Sequence, residues 1–264
     1  MNAFSVVLPV YNEGSSLRGS LERLHAYLVR LRGAYRSELI VVDDGSQDIT
    51  AAVVETFRRE HPGALRFLRH GRNRGIGAAI RTGAQAARMP NVVVMDADLS
   101  YAPETIESLV AELYRSGAVC VMASPYMRGG RVSRVPLLRL AASVLANRLL
   151  SSCVGGRVAT LTGMVRAYET KVLRELLERD PEGEFNSWIA AELLASGRRL
   201  REVPAHLCWP EHRRKAAGRI SYGKLWQRTL AVFVTVRRLR AIPDASSRAA
   251  LSPSGASIGT YGPL

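Results

Sequence analysis

Four carboxylates stand at the ends of two short apolar runs. Asp43 and Asp44 close ELIVVDDGSQD, and Asp96 and Asp98 close NVVVMDADLS. Each run is β-branched and too short for an independent helix, so each reads as a buried parallel strand that delivers Asp to its C-terminal edge. Ligands bind at that edge in open α/β sheets. Burying adjacent carboxylates costs several kcal/mol unless a cation or hydrogen-bond donors meet them. The D-x-D spacing of Asp96 and Asp98 lets alternate side chains bridge one divalent cation, the ion a nucleotide diphosphate would bring. A solitary D-x-D is more often a solvated turn; this one accompanies other signals of the same kind.

The first apolar run, FSVVLPV, continues into YNEGSSL. Pro9 can stop ladder pairing, Tyr11 offers a flat ring on which a base could stack, and Asn12 and Glu13 offer hydrogen-bonding groups. Further on, HGRNRGIGAAIRTG holds Gly75, Gly77 and Gly83 without the G-x-G-x-x-G spacing of a dinucleotide fingerprint. Glycines there still permit close approach of the backbone to a ligand or a neighbouring element. The five histidines, His25, His61, His70, His206 and His212, have no metal-ligand spacing.

The elements that must position these residues follow from hydrophobic periodicity. FSVVLPV, ELIVVD, LRFL, NVVVMD and AVCVMA read as five strands. Between them lie helices over residues 15–31, with Leu17, Leu21, Leu24, Leu28 and Leu31 on one face, and over the segment holding Val53, Val54 and Phe57, with Asp48 as its N-cap. A helix over 77–88 comes next. Another carries Ile106, Leu109, Val110 and Leu113, with Pro103, Glu104 and Glu107 at its start. Strands alternating with helices imply βαβ units and a parallel sheet covered on both faces. After Pro125, YMRGGRVSRV reads as a loop, PLLRLAASVLANRLLSSCV as a long apolar helix, and residues 163–208 as short strands and helices. A basic loop spans 211–224, an amphipathic helix, LWQRTLAVFVTVRRLR, follows, and the Ser/Ala/Gly/Pro-rich tail is expected to be disordered.

The composition, 264 residues with 47% hydrophobic, is that of a globular chain able to bury one good-sized core. Cys120, Cys153 and Cys208 are scattered and odd in number, which argues against a disulfide framework or structural zinc and suits a reducing cytosol. The net charge of +14 is unevenly spread. Residues 1–127 carry 14 Arg/Lys against 13 Asp/Glu, whereas residues 128–240 carry 22 against 9. Such a second half attracts polyanions: nucleic acid, anionic headgroups or phosphorylated substrates. The opening residues lack the pattern of a signal peptide, and no run approaches the ~18 apolar residues that span a bilayer. A soluble or peripheral protein is expected.

Taken in order, PVYNE, VVDDGSQD, NRGIGAAIRTG and MDADLSYAPE resemble the family-2 inverting glycosyltransferases of the nucleotide-diphospho-sugar transferase fold, over about the first 125 residues. The ASPY-x-R-G-G segment, the apolar helix with Asn147, the T-G-M-x-R-A stretch and EVPAHLCWPEHRRKAAGRIS look like the dolichol- or polyprenol-phosphate hexose synthases. The resemblance implies that Pro9, Tyr11, Asn12 and Glu13 line the nucleotide pocket, that Asp43 or Asp44 accepts a hydrogen bond from the base, and that Asp96 and Asp98 hold Mg2+ or Mn2+ against the diphosphate. It further implies that Arg128, Arg139, Arg213, Arg214 and Lys215 hold the acceptor phosphate and the donor diphosphate. An ionised phosphate acceptor needs no general base. The chain departs from the lipid-phosphate synthases at Pro125, where they carry Arg, at Ser100, where they carry Gln, and at Ala159, Thr162, Gly163 and Met164, where they carry an Asp shortly before S-G-F-R.

The expectation is therefore an α/β, Rossmann-like nucleotide-diphospho-sugar transferase fold with a mixed, mostly parallel sheet flanked by helices and a C-terminal amphipathic helix. The glycosyltransferase domain should span 1–242, with a nucleotide-sugar half (1–123), an acceptor half (124–217) and the closing helix (218–242), followed by the tail (243–264). The expected reaction is metal-dependent, inverting transfer of a hexose, mannose or glucose, from a GDP- or UDP-hexose to a polyprenyl phosphate at the cytoplasmic membrane face. The same donor chemistry with a soluble or natural-product acceptor is the alternative. A basic polyanion-binding protein is the remote one, since no nucleic-acid module or aromatic stacking platform is present.

Overall fold

The computed structural model describes residues 2–153, 158–179 and 185–210. In chain order the elements are β1 (Asn2–Val10), α1 (Gly14–Arg30), β2 (Tyr35–Asp43), α2 (Thr50–Glu60), β3 (Arg66–Arg69), α3 (Ile76–Ala86), β4 (Asn91–Val94), α4 (Thr105–Ser116) and β5 (Cys120–Ser124). There follow β6 (Arg131–Ser133), α5 (Leu137–Cys153), β7 (Arg166–Glu169), α6 (Thr170–Arg179), α7 (Phe185–Ala195), β8 (Leu200–Pro204) and β9 (His206–Cys208). Among the described residues, seven strands make one sheet in the order β3-β2-β1-β4-β7-β5-β8. Every pairing is parallel except those of β7, which runs antiparallel between β4 and β5.

The sheet's burial explains why its strands are continuous apolar runs. In β1, Phe4, Val6, Leu8 and Val10 pack with Leu17, Leu21, Leu24 and Leu28 of α1 and with Ile106, Leu109, Val110 and Leu113 of α4. Val7, pointing the other way, joins Ile40, Val42, Val92 and Val94 against α3 and α6. Alternation with period two thus sends the strand's side chains into two cores, one on each face. Gly83 sets how closely α3 lies on the sheet, because a Cβ there would stand 2.4 Å from a methyl of Val7. Any larger residue would push the helix outward.

The strand order reverses between β1 and β4, since β2 and β3 lie on one side of β1 and β4 on the other. Pro9 shapes this junction. The carbonyl of Val7 accepts the N–H of Met95, 3.0 Å, so β1 residues of that parity face β4. Pro9 shares the parity, and its missing N–H falls where the β1–β4 ladder ends at Val7 and Val94. Pairing with β2 continues to Val10 and Asp43. In open α/β sheets such a reversal leaves a crevice at the C-terminal ends of the diverging strands, here β1 and β4.

Two expectations need correction. YMRGGRVSRV is not all loop: Arg131–Ser133 forms β6, which pairs in parallel with β9 through Val132 and Leu207. Three residues are too few to carry a periodicity, so this pairing is invisible to sequence patterning. The apolar helix forms as α5, yet Leu137, Leu138, Leu145 and Leu149 are exposed. Asp48 lies one residue before the cap position of α2, which is Ile49. The basic loop 211–224, the closing amphipathic helix and the tail lie outside the described residues, as do Arg213, Arg214 and Lys215.

Candidate active site

Three loops meet at the C-terminal edge of β1 and β2. Asn12, at the end of β1, has φ 53° and donates its N–H to Ser46 Oγ at 2.9 Å, while its Oδ1 accepts the N–H of Gln47 at 3.0 Å. The N–H of Glu13 reaches Thr50 Oγ1 at 2.9 Å, and that of Gly14 reaches Asp48 Oδ2 at 3.1 Å. Asp48 also accepts from the Thr50 N–H at 2.9 Å and from its hydroxyl. One carboxylate thereby satisfies N-terminal donors of both α1 and α2. Burial pushes its pKa up, but the bonds from Thr50 and Gly14 outweigh this and hold it below the usual carboxylate range. Tyr11, at this edge, is 43% exposed.

Asp43 and Asp44, adjacent in sequence, do different work. Both are buried. Asp44 Oδ1 accepts from His70 Nδ1 at 2.7 Å and from the N–H of Arg74 at 2.9 Å, and Oδ2 accepts the N–H of Gly75 at 2.8 Å. His70 Nε2 lies 2.9 Å from Thr82 Oγ1, so a ring protonated at Nδ1 accepts from that hydroxyl. Asp44 is thus the clasp of the 70–75 loop. Asp43 Oδ1 accepts the Ser46 N–H at 2.9 Å, and Arg69 Nε stands 3.0 Å from Oδ2. That ion pair lacks hydrogen-bond alignment, which leaves Oδ2 a buried acceptor without a hydrogen bond. Gly45 joins the two loops: its φ is +73°, and a Cβ would fall 2.3 Å from the carbonyl carbon of Arg72. Only glycine combines that backbone with that proximity.

Across the junction, Asp96 and Asp98 follow β4 in a tight turn. Leu99 has φ 48°, and its N–H bonds the Asp96 carbonyl at 3.1 Å. The Ser100 N–H is 3.0 Å from Asp98 Oδ1 and its hydroxyl 3.3 Å from Asp96 Oδ2. Ser100 therefore orients both carboxylates. Asp98 is buried and Asp96 half-buried. Among the described residues no group of three or more His, Cys, Asp or Glu side chains gathers to hold a metal. Two carboxylates supply hard oxygen donors suited to Mg2+ or Mn2+, with the remaining coordination positions suited to diphosphate oxygens and water.

The second half packs a further loop beside this turn. Tyr101 is buried with Asp96, Tyr126 and Arg166 close enough to act on its phenol; burial first, then Asp96, raises its pKa. Arg166, on β7, is fully buried and donates to the carbonyls of Gly163 at 2.8 Å and Leu161 at 2.6 Å. Glu202 accepts the N–H groups of Ala159 and Thr160 at 2.7 and 2.9 Å, and Asn147 Oδ1 accepts that of Leu161 at 2.8 Å. Ser124 and Thr160 share a bond of 2.7 Å. No role is assigned to Arg166 or Glu202 from the sequence, although each lies in a stretch that carries the resemblance: Arg166 is the Arg of T-G-M-x-R-A, and Glu202 opens EVPAHLCWPEHRRKAAGRIS. Arg128 is exposed on the Met127–Gly130 turn, and the Arg139 guanidinium sits 4.4 Å from the centre of the Trp209 ring.

With this geometry established, similarity to known proteins is informative. The family profile of Glycosyl transferase family 2 matches residues 5–177. An undecaprenyl-phosphate 4-deoxy-4-formamido-L-arabinose transferase of Shewanella sediminis is 29% identical over 83% of this chain and 61% of its own. A polyprenol monophosphomannose synthase of Mycolicibacterium smegmatis is 32% identical over 65% of this chain and 63% of its own. The chain spans about three fifths of the length of these curated relatives. Among solved structures, glucosyl-3-phosphoglycerate synthase from Mycobacterium tuberculosis, in complex with Mn2+, UDP and phosphoglyceric acid, aligns with a TM-score of 0.65 at 20% identity, covering 92% of this chain and 80% of that one. A mannosyltransferase from Pyrobaculum calidifontis in complex with GDP-Man and Mn2+ aligns at 0.56 and 19%, covering 95% and 76%. These two likenesses establish a common fold.

Proposed function

The chain belongs to glycosyl transferase family 2, and we propose that it transfers a hexose from a nucleotide diphospho-sugar to a polyprenyl phosphate, with inversion and with a divalent cation. The observation that supports this reading is the placement of Asp43 at the end of β2 and of Asp96 and Asp98 just after β4, on either side of β1 where the strand order reverses. The exposed Tyr11 ring is a stacking surface for the base, and Asp43 Oδ2, lacking a hydrogen bond, is the acceptor for a base N–H. Asp44, Asn12 and Glu13 hold the loops that frame the base. Pro9 opens the crevice itself.

Asp96 and Asp98 would hold Mg2+ or Mn2+, which when bound offsets the negative charge developing on the leaving nucleotide diphosphate. Ser100 keeps both carboxylates turned toward that position. An acceptor phosphate oxygen forms the new bond to the anomeric carbon as the bond from that carbon to the diphosphate oxygen breaks, and the electron pair leaves with the diphosphate. The acceptor is already ionised, so no side chain takes a proton. Arg128 and Arg139, with Arg213, Arg214 and Lys215 beyond the described residues, would bind the two phosphate-bearing groups.

A polyprenyl acceptor calls for a membrane surface, at its cytoplasmic face. Among the described residues no helix is long and apolar enough to cross a bilayer. The exposed leucines of α5, at 137, 138, 145 and 149, joined to the Arg excess of residues 128–240, suit a helix resting on an anionic surface. Pro125, standing where the lipid-phosphate synthases carry Arg, favours a second reading in which the acceptor is a soluble phosphorylated molecule. Labelled GDP-mannose and UDP-glucose, incubated with the protein, Mn2+ and polyprenyl phosphate, separate the two. Label entering the organic phase supports the first reading. Label that stays aqueous, with transfer to a soluble phosphorylated acceptor, replaces it.

A further inference from the structure

The N-terminal edge of the sheet, opposite the crevice, holds a cleft of about 410 Å³. It lies under the end of α1, the start of β2, the turn before β3 and the turn before β4. Arg32, Arg36, Arg66 and Arg88 line it, with His25 and a single acid, Glu38. Glu38 is fully claimed: Oε1 accepts from Ser5 Oγ at 2.7 Å and from the Arg88 N–H at 2.6 Å, and Oε2 accepts from Arg66 Nη1 at 3.2 Å. Arg66 is occupied as well, since the same nitrogen donates to the Ala86 carbonyl at 2.6 Å. The guanidinium groups of Arg32, Arg36 and Arg88 have no hydrogen-bonded or ion-paired acceptor among the described residues. Leu28, Leu39, Leu65 and Met89 supply an apolar floor.

Three like charges around one concavity repel one another, and solvation alone gains nothing from gathering them. An anion relieves this, and the planar fork of Arg matches phosphate oxygens two at a time. The volume falls within the range of small-molecule sites, and the floor adds area for an organic body. Burial first, then His61 and Arg32, lower the pKa of His25. We propose that this cleft is a second binding site, separate from the transferase crevice, that takes a small organic phosphate with its phosphate against Arg32, Arg36 and Arg88 and its apolar body on the leucine floor. Strand β2 runs between the two sites, Glu38 at one and Asp43 at the other, five residues or about 17 Å apart.

Isothermal titration with phenyl phosphate and with inorganic phosphate tests this, in low salt with chelator present. Phenyl phosphate should bind more tightly than inorganic phosphate at the site that depends on Arg36 and Arg88, because only it can use the floor. Binding should persist in Asp98→Asn and weaken at least about tenfold in Arg36→Ala/Arg88→Ala, whose side chains are exposed and whose loss should leave the circular dichroism spectrum unchanged. Equal affinity for the two probes removes the organic body from the proposal. No saturable binding in the wild type, or binding unchanged in the double variant, overturns it: the arginines are then a solvated surface. The outcome is independent of whether the crevice binds a nucleotide sugar.

Discussion

Asp44→Ala tests the division of labour between the two adjacent carboxylates. Its three partners are His70 Nδ1 and the N–H groups of Arg74 and Gly75. Hydrogen bonds to an ionised group contribute about 1.5–3 kcal/mol each, and a donor left buried costs about 1–3 kcal/mol. The Arg74 and Gly75 sites are only partly buried, so water recovers much of their loss. His70, 8% exposed, recovers little. A net loss of about 3 kcal/mol follows. With a urea slope near 3 kcal/mol/M, at the upper end for single domains, the midpoint should fall by about 1 M. The slope itself should stay unchanged. Asp43→Asn, which keeps an oxygen for the Ser46 N–H, should instead weaken nucleotide binding more than it lowers stability. A midpoint shift under ~0.3 M for Asp44→Ala, with nucleotide affinity lost, would refute the assignment of Asp44 to the loop and Asp43 to the ligand.

Other perturbations reach the second half and the acid limb. Arg166→Met strands the carbonyls of Leu161 and Gly163 and should cost about 2–4 kcal/mol, read as a lowered urea midpoint; an unchanged midpoint would mean that Arg166 does not hold the 160–164 loop. The folded pKa of Asp48 is depressed, so its contribution is complete above the unfolded value of about 3.9 and vanishes as pH falls through the folded one. Asp48→Asn should therefore flatten the loss of stability on acidification below about pH 5, and an identical slope in a pH series of unfolding curves counts against the shared cap. Leu138→Glu/Leu145→Glu should reduce sedimentation with anionic vesicles severalfold while moving Tm by no more than about 2 °C. Undiminished sedimentation would exclude α5 as the membrane-facing helix.

The first half of the fold is legible because its strands are buried on both faces. Val6, Val7, Leu8, Ile40, Val41, Val92 and Val93 leave no polar side to blur the run, and α1 and α4 show their buried faces at helical spacing. The second half is less so. The insertion of β7 between β4 and β5 is a long-range, antiparallel pairing that a four-residue strand cannot announce. The apolar run of α5 does not say which side is buried, and its leucines divide: Leu150 turns inward beside Asn147 while Leu138, Leu145 and Leu149 turn out. The four acidic residues were visible as a set. Their separate tasks were not, because the difference between Asp43 and Asp44 lies in which loop each carboxylate meets, and residues 70–75 come from another βα unit altogether. Arg166 shows the same limit, since a charged residue in a strand gives no sign that its guanidinium turns inward to carbonyls of its own loop.

Calorimetric titration of UDP, GDP, dTDP and CDP into the protein, with Mn2+ or with chelator, tests the central claim most directly. One nucleotide should bind in the presence of Mn2+, and its affinity should fall at least about tenfold both with chelator and in Asp98→Asn. Failure of the folded wild type to bind any of the four would contradict the assignment of the Asp96 and Asp98 turn to a donor diphosphate, and the proposed transfer with it.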